Sequence, residues 1–393
     1  MLLCVLGRQP ILGIAEIEAL LGSRAIRPFN PSCAIVRADS NALQQQHMGG
    51  TIKIAEVISA VRSSKLQIVQ PAALDIMEKY VIDKQSSASH KVTLGVSAYD
   101  LTIKQEQLKN LSFELKRRLS TKGISARVIV GSKIALNSAQ VIHNKLDGEF
   151  GYEFVLAAGV HETFIAKTIS EQDIESYSKR DYGRPGRDMQ VGMLPPKLAQ
   201  IMLNLASVGN GKSVLDPFCG TGVVLMEAAL RNLPIMGSDI NPKMVECTKE
   251  NLMWLSKEYN IALDISNIMC ADATKHRWDG EFDRVVCETY LGPPIQQMPG
   301  PQELESIVNE CNGIVKRFLV NLKPQLKPDA RCCIASPLWR TRRGFLQLPI
   351  IAKLEKLGYD RVWFSHARPE QLIYHRPDQI VARELLVLQN SKD

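Results

Sequence analysis

Apolar and polar positions along this chain fall into short continuous runs and into stripes spaced for helices. Leu2 to Leu6 and Ala34 to Val36 are runs of strand length, and Ile11 to Leu21 sets its apolar residues on one helical face. Pro28, Pro31 and Gly49-Gly50 punctuate this stretch, which is expected as a small α+β unit over residues 1–60. Residues 61–170 predict strand, helix, strand, helix, strand. The strands are Val92 to Val96, Ala126 to Val130 and Tyr152 to Ala158. The first helix, Lys104 to Leu119, stacks Leu108, Leu111, Leu115 and Leu119 on one stripe and ends at Gly123; a short second one covers Ser138 to Lys145.

Between 171 and 192 the chain turns polar and irregular, which marks a linker and the strongest domain boundary. Beyond it, strands at Val214-Leu215, Ile235 to Ser238, Ile265 to Cys270, Arg284 to Cys287, Cys332 to Ser336, Arg361 to Phe364 and Glu384 to Leu388 are expected. Helices at Val223 to Arg231, Lys243 to Tyr259, Gln302 to Leu322 and Phe345 to Leu357 are expected among them. Such alternation builds an α/β, doubly wound, mostly parallel sheet over residues 193–393, the Rossmann-like class.

A length of 393 residues suits two to three domains, and 45% hydrophobic with 23% charged residues is the composition of globular protein. No apolar run approaches the 18 or so residues of a membrane span. Met1 to Arg8 has no basic segment ahead of its apolar run, so no secretory signal and a cytoplasmic location are expected. Nine cysteines, an odd number without a C-x-x-C pair, suggest neither a disulfide framework nor a metal site. The net charge of +7 gains meaning from its placement: residues 101–150 carry nine Lys and Arg against four Asp and Glu. That window is where an acidic partner is expected to bind.

The strongest chemical signal is Ser213-Val-Leu-Asp216-Pro-Phe-Cys-Gly220-Thr-Gly222, a strand running into a glycine turn and a helix. Gly220 and Gly222 let the backbone come close to a ligand. Asp239 ends the next strand, 17 residues after Gly222, where dinucleotide folds place an acid on the ribose hydroxyls, and Asp272 ends the third, beside an adenine edge. The segment Asp216-Pro-Phe-Cys-Gly-Thr-Gly222 resembles motif I of class I S-adenosylmethionine-dependent methyltransferases that act on exocyclic amines of nucleic-acid bases. The resemblance implies S-adenosyl-L-methionine as cofactor. It puts Asp216 by the methionine amino group, Asp239 on the ribose and Asp272 on the adenine, with Phe218, Gly220, Thr221, Gly222, Ile240 and Ala273 around them.

The fourth strand leads to Glu288-Thr-Tyr290-Leu-Gly292-Pro-Pro294, where this branch carries D-P-P-Y-G or N-P-P-Y. The resemblance makes Glu288 the acceptor for the target amine and Tyr290 the ring that stacks on the flipped base, with Gly292 matching the glycine. Thr289 and Tyr290 replace the prolines and Leu291 the aromatic. The alternative for Glu288 is a strand-end acid paired with a basic neighbour.

Arg180 to Ala206, with Arg184-Pro, Leu194-Pro-Pro-Lys-Leu-Ala and Met202-Leu-Asn-Leu, and Tyr374 to Leu388 are similar to the entry and closing segments of the tRNA guanosine-10 N2-methyltransferase family. Residues 61–170, with His143-Asn-Lys145, resemble its THUMP RNA-binding domain, and 1–60 the ferredoxin-like companion. The resemblance implies an enzyme of tRNA processing that methylates N2 of a tRNA guanosine, with RNA as partner, no membrane, no metal and room for a small activator protein. Lys109, Lys116, Arg117, Arg118, Lys145 and Arg184 are expected to face RNA, with Lys122, Arg127 and Lys133 nearby. Arg180 and Arg187 with Tyr177 and Tyr182, the cluster Trp339-Arg340-Thr-Arg342-Arg343, and His366 with Arg368 are further candidates. Two alternatives stand beside this reading: methylation of an rRNA guanine or another base amine, and a catalytically silent RNA-binding protein that keeps the cofactor pocket.

Overall fold

The first 176 residues hold β1 (Leu2–Leu6), α1 (Pro10–Leu21), β2 (Ile26–Asn30), β3 (Cys33–Val36), β4 (Thr51–Val61) and α2 (Leu66–Lys84). They continue with β5 (Val92–Tyr99), α3 (Gln105–Thr121), β6 (Ala126–Ile129), α4 (Ser138–His143), β7 (Gly151–Ala158) and β8 (Thr163–Glu171). The computed structural model describes residues 1–84, 90–187, 193–207, 209, 211–280, 282–342 and 344–391. The chain forms two compact units, Met1–Ile14 with Leu21–Ser176 and Ala15–Leu20 with Tyr177–Asp393.

The first unit is built on one eight-stranded sheet in the order β2-β3-β1-β4-β8-β7-β5-β6. The expected division at residue 60 falls inside β4, an eleven-residue strand that pairs antiparallel with β1 on one side and β8 on the other. Residues 1–60 and 61–170 are therefore joined in a single sheet. The leucine stripe of α3 is buried as its spacing predicts, packing with α2 and the apolar face of β5 and β7. Under the sheet lies a buried polar cluster. Lys53 pairs with Glu153 and, at 3.4 Å, with Glu171; Ser97, Thr168 and Ser138 donate hydroxyls to the two carboxylates.

The linker expected at 171–192 contains a helix, α5 (Ile174–Tyr182), started by Asp173, whose carboxylate accepts the Ser176 N–H at 3.0 Å; residues 188–192 lie outside the described residues. Then follow α6 (Pro196–Leu205), β9 (Val214–Asp216), α7 (Val223–Ala229), β10 (Ile235–Asp239), α8 (Pro242–Tyr259), β11 (Ile268–Cys270), β12 (Phe282–Glu288) and α9 (Pro301–Leu322). The chain ends through β13 (Leu326–Thr341), β14 (Gly344–Leu346), β15 (Tyr359–Arg361), β16 (Ile373–Tyr374) and β17 (Val381–Asn390). The sheet order β11-β10-β9-β12-β13-β17-β15 is parallel up to β13 and antiparallel at β17, the class I methyltransferase arrangement that the resemblance implied. Strand order reverses between β9 and β12, so a crevice opens at their carboxyl ends.

One helix does not form as expected. Phe345 to Leu357 begins instead as β14, a short hairpin back onto Trp339–Thr341, and continues as two 3₁₀ turns, Pro349–Lys353 and Glu355–Leu357. Pro349 breaks the backbone hydrogen-bond series and Gly358 stops it at φ +80°. Trp339, expected to meet RNA with its basic neighbours, is buried within β13, while Arg343 lies outside the described residues. No helix among the described residues is long and apolar enough to cross a membrane.

Candidate functional site

The glycine turn sits where the sheet reverses. Asp216, the last residue of β9, is 2% exposed, and one of its oxygens accepts the Phe218 N–H at 3.1 Å. Burial pushes its carboxyl well above the usual range, and the negative neighbours Asp239 and Glu288 push the same way. Gly220 and Gly222 lie at φ +52° and +81°. A Cβ on Gly222 would stand 2.9 Å from Thr248 Cγ2, so both the conformation and the space require glycine there. Gly222→Ala is therefore expected to weaken cofactor binding at least tenfold, read by calorimetric titration, since left-handed strain alone costs about 1–2 kcal/mol.

Asp239 holds the turn rather than standing apart from it. One oxygen accepts the Gly220 N–H at 3.0 Å and the other the Asn241 N–H at 2.9 Å. Burial raises its carboxyl pKa, and these two N–H groups oppose the rise. Two side chains that the sequence reading passed over complete the support. Thr248 Oγ1 donates to Gly220 O at 2.8 Å, and Asn251 Nδ2 donates to Thr221 O at 2.7 Å. The available signal was their spacing: polar residues three apart on the buried face of α8.

A cavity of about 80 Å³ opens over the turn, lined by Asp216, Phe218, Gly220, Thr221, Met193, Glu288 and their neighbours. Phe218 packs edge-on against Phe318 with ring centres 4.9 Å apart. Glu288 ends β12 on the far side of the reversal from Asp216. Its Oε1 accepts from Arg383 Nε at 2.5 Å, and Arg383 comes from β17, buried. Burial raises the Glu288 carboxyl pKa and the Arg383 charge counters it. Glu288 is thus a strand-end acid paired with a basic neighbour, and its carboxylate also borders the cavity.

Other predicted residues stand elsewhere. Tyr290 is 39% exposed, beyond the cavity lining; Gly292 takes φ +89° with Ile307 packed 3.0 Å from where a Cβ would be. Asp272 turns back on its own chain, accepting the Thr274 N–H at 2.9 Å and hydroxyl at 2.7 Å, which hold its carboxyl below the ordinary range. Ala273 is packed in the core, and Ile240 is 69% exposed. Lys109, Lys116, Arg117 and Lys145 are exposed on the first unit. Arg117 pairs with Glu114, and Arg118 with Asp75, Glu78 and Glu114. Arg184 is only 2% exposed, which removes it from the RNA-facing set: its side chain folds inward beside Met193. Arg180 is likewise buried, paired with Glu227 at 2.6 Å.

The family described as UPF0020, RMKL-like, methyltransferase domain, matches residues 184–321. A Methanothermococcus thermolithotrophicus protein named probable tRNA (guanine(10)-N2)-dimethyltransferase is 43% identical over 140 residues, 36% of this chain and 79% of that protein. The chain belongs to the tRNA guanine(10)-N2-methyltransferase family. A second member, the tRNA (guanine(10)-N2)-dimethyltransferase of Methanothermobacter thermautotrophicus, is 35% identical over 146 residues, 37% of this chain. Here the chain spans 39% of that relative's length. The crystal structure of TrmN from Thermus thermophilus shares the fold, with a TM-score of 0.50, 17% identity and 99% of both chains covered.

S-adenosylmethionine is the cofactor of this methyltransferase fold, and the residues present fit it. Gly220 and Gly222 hold the turn at positive φ beside the cavity, and Asp216 offers a carboxylate with one oxygen spare to an ammonium group. Asp239 keeps lone pairs beyond its two backbone bonds for hydroxyl donors.

Proposed function

We propose that this chain transfers a methyl group from S-adenosylmethionine to the exocyclic N2 amine of a guanosine in tRNA, the position-10 guanosine. The observation that carries the reading is Glu288 bordering the same cavity as Asp216 at the point where the sheet reverses. The cofactor supplies an electrophilic methyl at the cavity. Glu288 Oε1 is occupied by Arg383, so Oε2 is the atom left to accept one N–H of the target amine. That bond aims the nitrogen lone pair, and the same carboxylate takes the proton that the amine sheds once methylated. Tyr290, exposed one turn of chain beyond, supplies a ring on which the extruded base stacks.

The first unit supports the RNA half of this reading, and we assign it the THUMP-like role. A shallow groove on α3 joins exposed Phe113 to Lys116, Arg117, Ser120 and Thr121, an aromatic face among cations. Arg118, held by three carboxylates, is a poor test of this surface, because reversing it breaks folded contacts. The double change Lys109→Glu with Lys116→Glu is expected to weaken tRNA binding and reduce the slope of log affinity against log salt by about 2, with cofactor affinity unchanged. An unchanged slope would remove α3 from the interface.

Incubation with S-adenosylmethionine and unmodified tRNA, followed by nucleoside mass spectrometry, tests the activity. N2-methylated guanosine is expected, and its loss when guanosine 10 is replaced by adenosine. Methylation of rRNA alone, or cofactor binding without transfer to any RNA, would favour one of the other two readings.

A further inference from the structure

The second unit contains a buried cation with no ion-paired anion among the described residues. Arg184 Nη2 donates to Met193 Sδ at 3.2 Å, while Nε and Nη1 have no hydrogen-bond partner among the described residues. Asp181 and Glu227 reach it only through space. Glu227 is already engaged, accepting from Arg180 Nε at 2.6 Å and Gln200 Nε2 at 2.8 Å. A thioether is a weak acceptor, and a charge buried without a counter-ion costs several kcal/mol. Such a guanidinium is kept in the fold for something that arrives from outside it.

Its position says what arrives. Met193 lines the cavity together with Asp216, Phe218, Gly220 and Thr221. Two residues after Arg184, Gly186 exchanges a pair of hydrogen bonds with Asn251, both at 2.8 Å, and Asn251 also holds Thr221 O. The arginine is thereby fastened to the glycine turn through one side chain. At 2% exposure it stands back from the surface that a phosphate of an RNA would approach.

We propose that Arg184 binds the carboxylate at the amino-acid end of the cofactor, which displaces the Met193 thioether and takes two parallel N–H donors from the guanidinium. The proposal rests on the S-adenosylmethionine reading of the cavity. Asp216 and Arg184 then form a complementary pair, an acid for the ammonium group and a base for the carboxylate. The turn would thus recognise a zwitterion rather than a nucleoside alone.

The test compares equilibrium dissociation constants of S-adenosylmethionine and its decarboxylated analogue, measured by calorimetry on the full chain and on Arg184→Gln and Arg184→Lys. The wild-type protein is expected to bind the analogue about 10–100-fold more weakly. Arg184→Gln should bind S-adenosylmethionine as weakly as the wild type binds the analogue, and lose nothing further on the analogue. Arg184→Lys, which keeps the charge, should retain part of the discrimination, and thermal unfolding confirms that each variant is folded. Equal loss on both ligands would overturn the proposal in favour of packing. Unchanged cofactor affinity with weakened tRNA binding would overturn it in favour of a phosphate contact. A wild-type protein that binds neither ligand would instead sink the cofactor reading on which it rests.

Discussion

Glu288→Gln is expected to lower kcat for methyl transfer to tRNA by about 10²–10³-fold, the range found when one preorganised charge-stabilising group is removed from an active site. Cofactor affinity should stay within about twofold. Glutamine keeps the length and volume of the side chain but cannot take the proton from the methylated amine, so the loss falls on the chemical step. Glu288→Asp tests position instead of charge. It withdraws the carboxylate by about 1 Å, a displacement that can cost about 10²-fold in rate. Arg383 gives the third arm. Burial raises the Glu288 carboxyl pKa and Arg383 lowers it, so the carboxylate is ionised above a pKa that Arg383 holds down. Removing that charge in Arg383→Gln should move the acid limb of the kcat profile to higher pH, with KM for cofactor little changed. An unchanged rate in Glu288→Gln would leave the pair with Arg383 as the whole role of this acid.

Why the fold of the second unit could be read from the chain, and parts of its site could not, follows from how local each determinant is. Strands such as Arg284 to Cys287 and Ile235 to Ser238 are buried on both faces and announce themselves as apolar runs between amphipathic helices. Asp216, Gly220 and Gly222 belong to one short turn, so their relation is written in adjacent residues. Arg383 reaches Glu288 from 95 residues away, and no spacing rule connects them. Arg184 misled for a related reason. An arginine among tyrosines and other arginines looks exposed, yet Gly186 clamped to Asn251 draws its segment inward. Asp272 sits at a strand end, and Thr274 two residues on engages one of its oxygens, a contact as local as those of the glycine turn. The boundary at residue 60 failed because strand pairing is non-local. Nothing in Thr51 to Val61 reveals that its partner lies beyond residue 160.

The buried cluster of the first unit carries the second large expectation: Lys53→Met should destabilise that unit by about 3–5 kcal/mol, the cost of leaving a buried charge without its partner. Lys53, Glu153 and Glu171 have side chains 1% exposed or less, so solvent cannot screen what remains. Two acids share one lysine, and they do not share it equally. Glu153 has Lys53, Ser97 and Thr168, whereas Glu171 has Ser138 and a longer approach to Lys53. Burial accordingly lifts Glu171 from 4.5 to about 7. The folded state then binds this proton more tightly than the unfolded chain does, so the contribution is full below about pH 4.5 and is lost as pH rises through about 7. At 1.36 kcal/mol per unit this is worth about 3 kcal/mol, opposite in sign to the acid denaturation common among carboxylates. Glu171→Gln should remove the slope, because the amide keeps the shape and can still meet Ser138. Amide hydrogen exchange across β4, β7 and β8 in the full chain, followed from pH 5 to 8, reads both effects. A flat profile in the wild type, or one that Glu171→Gln leaves sloping, would mean that Lys53 satisfies both acids at once. In that case the pairing distances, not burial, set the energetics of the cluster.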